Sequence, residues 1–273
     1  MGDHSVSLII SSYNQPNCLR LVLAGFAAQD DVDFEAIIAD DGSDSDTAEL
    51  VATLATEAPF PIAFVTQRHT VFRKARILNE AALASHGEQL IFCDGDCVPF
   101  HGFIAVHRRH YQPRAYCVGG YVYLGLEQSQ SLDSEAVRRG AHEAFLTPAE
   151  RRRLGWVHWK SRFYRWIGTR DKPKMLGGNF SVGRQAFEEA DGFEESFDGF
   201  SGEDSDLRNR LNNVKARSIS LWNQAHVCHL DHKLDLRRCD QAVVRAKRDP
   251  QVYYGGRTRT RAVRGLSQHT SES

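Results

Sequence analysis

An α/β fold, with a mostly parallel central sheet flanked by helices, is what the sequence predicts on three observations. Short β-prone apolar runs alternate with amphipathic stretches at helical spacing through roughly the first hundred residues. Three of those runs end directly in polar loops, Ser11-Ser12-Tyr13-Asn14, Asp40-Asp41-Gly42-Ser43 and Asp94-Gly95-Asp96. The 273-residue chain, 41 % hydrophobic and 25 % charged, has the composition of a globular protein with a sizeable core. Alternation of this kind favours parallel strands with right-handed crossovers, and in open α/β sheets ligands bind beyond the carboxyl ends of the strands.

Val6 to Ile10 reads as a buried first strand, and Asn17 as the cap of a helix carrying Leu19, Val22, Leu23 and Phe26 on one face. Glu35 to Ala39 is the second strand. The helix after it is capped by Asp44 or Ser45 and turns Leu50, Val51 and Leu54 inward. Ile62 to Val65 is the third strand. The next helix runs from Ala75 to Ser85 with Ile77, Leu78, Ala81 and Ala82 inward and Gly87 as its stop, and Leu90 to Cys93 is the strand that delivers Asp94. Pro99 suits the first turn of a helix toward Tyr111, and Tyr116 to Tyr123 is a further strand. From about Glu127 to Lys174 the composition shifts to Arg, Trp and His, and Thr147-Pro148-Ala149-Glu150 is a capping box that opens a helix. Trp159, Phe163 and Trp166 share one face of it. Such a stripe is more often core; the sharper readings are an acceptor-binding subdomain or a patch touching an anionic membrane surface. A Gly-rich loop at Met175 to Gly178 then enters a strand, and a short helix with Phe187 ends near Asp191-Gly192-Phe193. Glu203-Asp204 opens a helix with Leu207 and Leu211 inward. Asp235 to Arg248 reads as a basic amphipathic helix, and the end, Ser267 to Ser273, as a solvated, frayed terminus. Four segments result, 1–125, 126–174, 175–234 and 235–273: one half of a divided site, a helical insertion, the other half, and a basic helix with a polar tail.

Several classes lose support. A formal net charge of −1 does not suit a polyanion binder, so no nucleic-acid partner is expected. No stretch approaches the ~18 apolar residues of a membrane span, and Met1-Gly2-Asp3-His4 lacks the layout of a secretory leader. The expected location is the cytoplasm, with peripheral membrane contact if the aromatic stripe is a surface. The six cysteines lack paired spacing, against a structural zinc site, and are expected to be reduced. Neither Gly-x-Gly-x-x-Gly nor Gly-Lys-Ser/Thr follows the first strand, against dinucleotide and P-loop readings.

Two aspartates one residue apart at a strand end, Asp94 and Asp96, can offer oxygens to a hard divalent cation that also holds phosphates; an ordinary Asx-rich turn is the bland alternative. Arg68, Arg73, Lys74 and Arg76 either meet a diphosphate or form a solvated helix face. Gly177-Gly178, before Asn179, permits close approach of backbone to a ligand. Glu203 and Asp204 sit where a helix dipole lowers a carboxylate pKa, so a catalytic base there needs desolvation; acidic capping alone is the alternative. His226, His229 and His232 supply candidate metal ligands. A receiver-like phosphoacceptor pocket would explain the acidic strand end but not the C-terminal motifs. A non-catalytic nucleotide-sugar or phosphate-binding module would not need Glu203-Asp204.

Together these motifs resemble family 2 glycosyltransferases of the GT-A fold, with its Rossmann-like sheet, over roughly residues 5 to 232. The stretch from Gly177-Gly178-Asn179-Phe180-Ser181 to Gly202-Glu203-Asp204 is similar to the matching segment of chondroitin polymerases, β-1,4-galactosyltransferases and polypeptide GalNAc-transferases. The resemblance implies a nucleotide-diphosphate sugar donor, expected to be UDP-linked, a glycan or glycolipid acceptor, and a role in polysaccharide biosynthesis. It assigns base and ribose to Ser11, Tyr13 and Asp41, with Asn14, Arg73, Arg76, Asp94, Gly95, Gly178 and Asn179 as further donor contacts. It implies Mn²⁺ or Mg²⁺ on Asp96 and His229, with His226 and His232 in reserve. Asp204 would be the general base of an inverting single displacement, and Glu203 would touch the substrate sugar. Ser201 departs from the family pattern, giving Phe-Ser-Gly-Glu-Asp for Trp-Gly-Gly-Glu-Asp, a difference on the acceptor side.

Overall fold

A computed structural model describes residues 4–169, 173–197, 202–231, 233 and 258–270. The first half alternates as expected: β1 (Val6–Ser12), α1 (Pro16–Ala27), β2 (Glu35–Asp40), α2 (Ser45–Glu57), β3 (Ile62–Thr66), α3 (Lys74–Ala84) and β4 (Gln89–Asp94). The chain continues through β5 (Cys97–Pro99), α4 (Phe103–Arg109), β6 (Ala115–Tyr123), α5 (Leu126–Gln130), α6 (Ser134–Arg138), a 3-10 turn (Ala141–Phe145) and α7 (Pro148–Trp166). After these come β7 (Phe180–Gly183), α8 (Arg184–Glu189), α9 (Glu203–Asn213), β8 (Arg217–His229) and a last short helix, Leu266–Thr270. The eight strands form one sheet in the order β3-β2-β1-β4-β7-β6-β8-β5. Its β3-β2-β1-β4 half is parallel; β7 is antiparallel to β4 and β6, β8 is parallel to β6, and β5 antiparallel to β8.

Register brings the polar loops together. Ser11 lies opposite Asp94, and Ser12 opposite Asp40, so the ends of β1, β2 and β4 share one edge. Leu8, Ile9, Ile10, Ile37, Ile38, Leu90 and Ile91 are fully buried, as expected for parallel strands covered on both faces. Phe92 of β4 stacks on Phe180 of β7 at 4.7 Å and meets Phe193 edge-on at 5.3 Å, tying the parallel half to the C-terminal one.

Five local expectations are corrected. Gln15, not Asn17, precedes α1, because Pro16 takes its first turn, where a missing N–H costs nothing. Ser85 closes α3 in an extended conformation, and Gly87 instead donates its amide to Ser7 Oγ at 2.7 Å. Pro99 ends β5 opposite Val227, and the helix begins later, at Phe103. Trp159 and Trp166 are 53 % and 81 % exposed, so the aromatic stripe of α7 is surface rather than core; α7 buries Leu154 and Ser161 instead. Residues 258–270 are docked rather than frayed. Buried Glu194 accepts the backbone N–H of Val263 at 2.7 Å, Asp191 accepts that of Ser267 at 2.9 Å, and Leu266 is buried. The basic helix expected over 235–248 lies outside the described residues.

A buried polar chain crosses the centre of the sheet. Gln89 Nε2 donates to Ser181 Oγ at 3.2 Å, and Ser181 Oγ lies 2.9 Å from His107 Nδ1. His107 Nε2 donates to Asn179 Oδ1 at 3.1 Å, and Asn179 Nδ2 donates to Gly120 O at 3.0 Å and Ala225 O at 3.1 Å. The donors and acceptors fit one arrangement with His107 neutral. Burial lowers its pKa from 6.5 to about 4, against the opposing hydrogen bond to Asn179. A histidine depressed in the fold binds fewer protons there than when unfolded. Its contribution is therefore complete above pH 6.5 and is lost as pH falls toward about 4. The expected loss is roughly 3 kcal/mol. Melting curves across that window should show a flatter acid limb for His107→Gln than for the wild type, and coincident slopes would refute the assignment.

Candidate functional site

The crevice along the shared strand edge is lined by Ser11, Tyr13, Asp41, Lys74, Asp94, Asp96 and Glu203, joining loops of the parallel half to the start of α9. In the second loop the two aspartates have separate tasks. Asp40 folds the turn, accepting from Ser43 N at 2.8 Å, Gly42 N at 3.1 Å and Thr66 Oγ1 at 3.0 Å. Asp41 is buried in the crevice, accepting from Arg73 N at 3.0 Å and Gln67 Nε2 at 2.5 Å; burial raises its pKa against those bonds. Tyr13 stacks on His69 at 4.4 Å and meets Phe72 edge-on at 6.3 Å, an aromatic wall beside Asp41.

Asp96 is fixed by backbone pairing. Leu230 N donates to Asp96 O at 2.9 Å, and Cys97 stands opposite His229 in the β5–β8 register. His229 Nε2 is 3.9 Å from Asp96 Oδ1. Its Nδ1 donates to Leu230 O at 3.0 Å, which leaves Nε2 on the side of the aspartate. With Cys97 Sγ, 3.7 Å from Asp96 Oδ1, these side chains offer three donor atoms within 4.8 Å of one another. Carboxylate, imidazole and thiol in one spot are a chemically competent set for a divalent cation. Burial and then the Asp96 charge push the Cys97 thiol well above its ordinary range.

Lys74, first residue of α3, is the cation of the crevice. Its Nζ lies 2.5 Å from Asp94 Oδ1, which also accepts from Ser11 Oγ at 2.8 Å. Glu203 and Asp204 act on the same ammonium; despite burial, which alone would lower it, Asp94 first and then the α9 pair hold the Lys74 pKa above the ordinary lysine value. Glu203 Oε2 and Asp204 Oδ1 are buried with no hydrogen-bond partner. Burial, and then the Glu203 charge, raise the Asp204 pKa well above the aspartate range; burial likewise raises that of Glu203. The loop over these groups has no room for side chains. A Cβ on Gly177 would stand 2.9 Å from Lys74 Nζ and 3.1 Å from Asp204 Oδ1, and one on Gly178 would stand 2.7 Å from Cys97 Sγ and 2.9 Å from Asp94 Oδ2.

Two helices are locked in register with that loop by the Asp191–Phe193 turn. Asn79 of α3 donates to Phe193 O at 2.9 Å and accepts from its N–H at 2.8 Å. Fully buried Arg210 of α9 bonds Gly192 O at 2.6 Å and its own Asp206 at 2.7 Å.

Of the residues singled out in the sequence, Ser11, Tyr13, Asp41, Asp94, Gly95, Asp96 and Glu203 line the crevice. Asp204 stands at its edge with Gly177, Gly178 abuts Asp94, and His229 adjoins Asp96. Arg73 contributes its backbone N–H to Asp41. Others point elsewhere. Asn14 joins the first two loops, accepting from Asp44 N at 2.9 Å while its own N–H donates to Ser43 Oγ at 2.8 Å. Exposed Arg76 pairs with Glu80 at 2.8 Å. Asn179 is fully buried in the polar chain, and His226 packs on Phe100 at 5.5 Å. His232 lies outside the described residues. Sequence reasoning missed the centrality of Lys74, weighed as one of four basic residues, and the wall residues His69 and Phe72. Lys74 lies one residue into a helix whose start faces the strand edge, the signal that was available.

The family model described as glycosyl transferase family 2 matches residues 7–185, and that described as the N-terminal domain of galactosyltransferase matches residues 158–233. A comparison with curated proteins finds no match. Among solved structures, the mannosyltransferase PcManGT from Pyrobaculum calidifontis, in complex with GDP-Man and Mn²⁺, superposes with a TM-score of 0.60 at 17 % identity, over 87 % of this chain and 61 % of that one. S. aureus TarS 1–349 gives 0.53 at 16 % identity, over 83 % and 60 %. Its complex with UDP-GlcNAc gives 0.54 at 16 %, over 83 % and 58 %. At these identities the likeness is one of fold, and the chain spans about three fifths of the length of those proteins.

Replacing Lys74 by Met should leave three carboxylates around an uncharged stem. Carboxylates raised in the fold are relieved by protonation, so the melting-temperature deficit of Lys74→Met should shrink as pH is lowered from about 8 to about 5. A deficit that stays constant with pH would mean that Lys74 acts by packing alone.

Proposed function

The chain belongs to glycosyltransferase family 2, and from that premise we propose that it moves a sugar from a nucleoside-diphosphate sugar to a hydroxyl of a glycan or glycolipid. The observation that carries the reading is the meeting in one crevice of three polar strand-end loops, the Asp96–His229 pair and the Glu203–Asp204 start of α9. Each set alone has ordinary explanations; a binding module has no use for a second pair of carboxylates, Glu203 and Asp204, beside the Asp94 strand end.

In this reading the aromatic wall at Tyr13 and the carboxylate of Asp41 take the base and ribose. Ser11 and Lys74 hold Asp94 against the sugar side of the nucleotide. Asp96 and His229 would hold a divalent cation, which when bound supplies positive charge against the departing diphosphate. A mixed oxygen and imidazole set suits Mn²⁺ better than Mg²⁺, which favours oxygen and water. The complexes of the two structural relatives, one with GDP-Man and Mn²⁺ and one with UDP-GlcNAc, support a nucleotide-sugar donor without choosing its base.

Asp204 takes the proton of the acceptor hydroxyl as the new oxygen–C1 bond forms and the bond from C1 to the diphosphate oxygen breaks, its electron pair leaving with the diphosphate. One displacement of this kind inverts the anomeric centre. Glu203, lining the crevice at the first turn of α9, is placed to touch the transferred or accepting sugar. Its charge keeps the Asp204 pKa high and so makes the base stronger.

Asp204→Asn should lower transfer ~10² to 10⁴-fold while sparing donor binding, and unimpaired transfer would exclude it as the base. The base must be deprotonated, so activity falls on the acid side with a midpoint above the ordinary aspartate range. Glu203→Gln should move that midpoint to lower pH, because a like charge is removed, and a shift to higher pH would reverse the assignment. Calorimetry with UDP-, GDP- and dTDP-sugars should show donor binding that strengthens with Mn²⁺ in the wild type and not in Asp96→Ala.

A further inference from the structure

Helix α7 carries a second surface, none of whose residues lines the crevice. Trp156, Trp159, Phe163 and Trp166 are 55 %, 53 %, 41 % and 81 % exposed. They stack in sequence along the helix, Trp156 on Trp159 at 5.0 Å and 11°, Trp159 on Phe163 at 5.6 Å and 7°, and Phe163 beside Trp166 at 6.1 Å. At about 100° per residue the four rings fall in one stripe about 80° wide, with Lys160 on one side and Arg162 on the other. Lys160 Nζ sits 5.2 Å from the Trp156 ring centre.

Charge distinguishes this face from an ordinary apolar patch. Helix α7 has six basic residues (Arg151, Arg152, Arg153, Lys160, Arg162, Arg165) against one acid, Glu150, in a chain whose formal net charge is −1. Beside the stripe a cavity of about 320 Å³ is lined by Arg109, His158, Arg162, Arg165, Arg217 and Ser220. His158 and Arg162 belong to the cavity and to the aromatic face alike.

We propose that this face seats the protein on an anionic lipid bilayer, with the Trp–Phe stripe in the headgroup boundary and the arginine-lined cavity taking a lipid phosphate. Tryptophan rings are amphipathic and settle at headgroup level, while Arg and Lys stems lie along apolar surface and keep their charge at the phosphates. Among the described residues no helix is long and apolar enough to cross a membrane. A second copy of the chain is a poor occupant, because face-to-face contact would set the Lys160 and Arg162 that flank the stripe against their own copies. A neutral glycan would leave the arginines unused.

Flotation of the full chain with vesicles tests this, using phosphatidylcholine alone and phosphatidylcholine mixed with phosphatidylglycerol. The protein should float with the mixed vesicles, less as salt is added, and with a blue-shifted tryptophan emission. Trp159→Ala with Trp166→Ala, and separately Arg109→Gln with Arg162→Gln, should each weaken flotation about tenfold or more while leaving the melting temperature unchanged. These residues are exposed, so loss of fold is not the expected route. Absence of flotation, equal flotation on both vesicles, or full flotation of either double variant would overturn the proposal. So would a wild-type dimer that the tryptophan variant dissolves, or glycerol phosphate raising the melting temperature through Arg162 with no vesicle binding. None of these outcomes depends on the transferase reading.

Discussion

Lys74 is partly buried among Asp94, Glu203 and Asp204, and most of the crevice is arranged around keeping that ammonium in place. Charges removed from water are tolerable only when paired and closely held, and losing the partner is costlier than never having had the pair. Here one cation answers three carboxylates that reach it from separate parts of the chain, β4 and the first turn of α9. The glycine pair at 177–178 permits this, since a methyl at either position would occupy the space of an ion-pairing or thiol atom. The Asp191–Phe193 turn holds α3 and α9 in register, through Asn79 on one side and Arg210 on the other. Electrostatic need and backbone packing thus converge on one loop.

The Asp96–His229 pair has a different origin, in the ladder between β5 and β8. Strand β8 does not run evenly: Gly119 of β6 faces Leu221 while Gly120 faces His226, so residues 222–225 bulge out of the pairing. Asn179 caps that irregularity by donating to Gly120 O and Ala225 O, and Gly119 is a glycine because a Cβ there would stand 2.2 Å from Asn179 Oδ1. Past the bulge the register resumes and carries His229 to the level of Cys97. Asn179 therefore acts on the site at a distance, by fixing the strand that delivers the histidine.

What the sequence revealed follows from where local signals and tertiary constraints agree. Strands β1, β2 and β4 are apolar runs that end in polar loops, and both features report the same thing, a buried parallel strand opening on a ligand edge. The acidic start of α9 was equally legible, since capping, dipole and inward leucines coincide. Strand β5 was hidden because Pro99 looks like a helix start and only a long-range partner makes Cys97–Pro99 a strand. Strand β8 was hidden by its bulge, which breaks the alternation that would have announced it. Asn179 was grouped with the loop it follows, although its amide serves the sheet. The aromatic stripe of α7 had the spacing of a core face, and spacing cannot report that the core lies on the other side, at Leu154 and Ser161.

The position of Asp204 also resolves an opposition visible in the sequence. A carboxylate in the first turn of a helix gains from the dipole and from nearby N–H groups, which favour the charged form and make a weak base. Its neighbourhood reverses that preference. Burial and the Glu203 charge outweigh Lys74 and the bond from Gly177 N–H, so the net direction is upward. A surface carboxylate at the same helix position would have the ordinary aspartate affinity for a proton. One enclosed under a glycine loop, beside another carboxylate and short of hydrogen-bond partners, holds a proton far more strongly. The helix start gives the group its place, and the enclosure gives it its basicity.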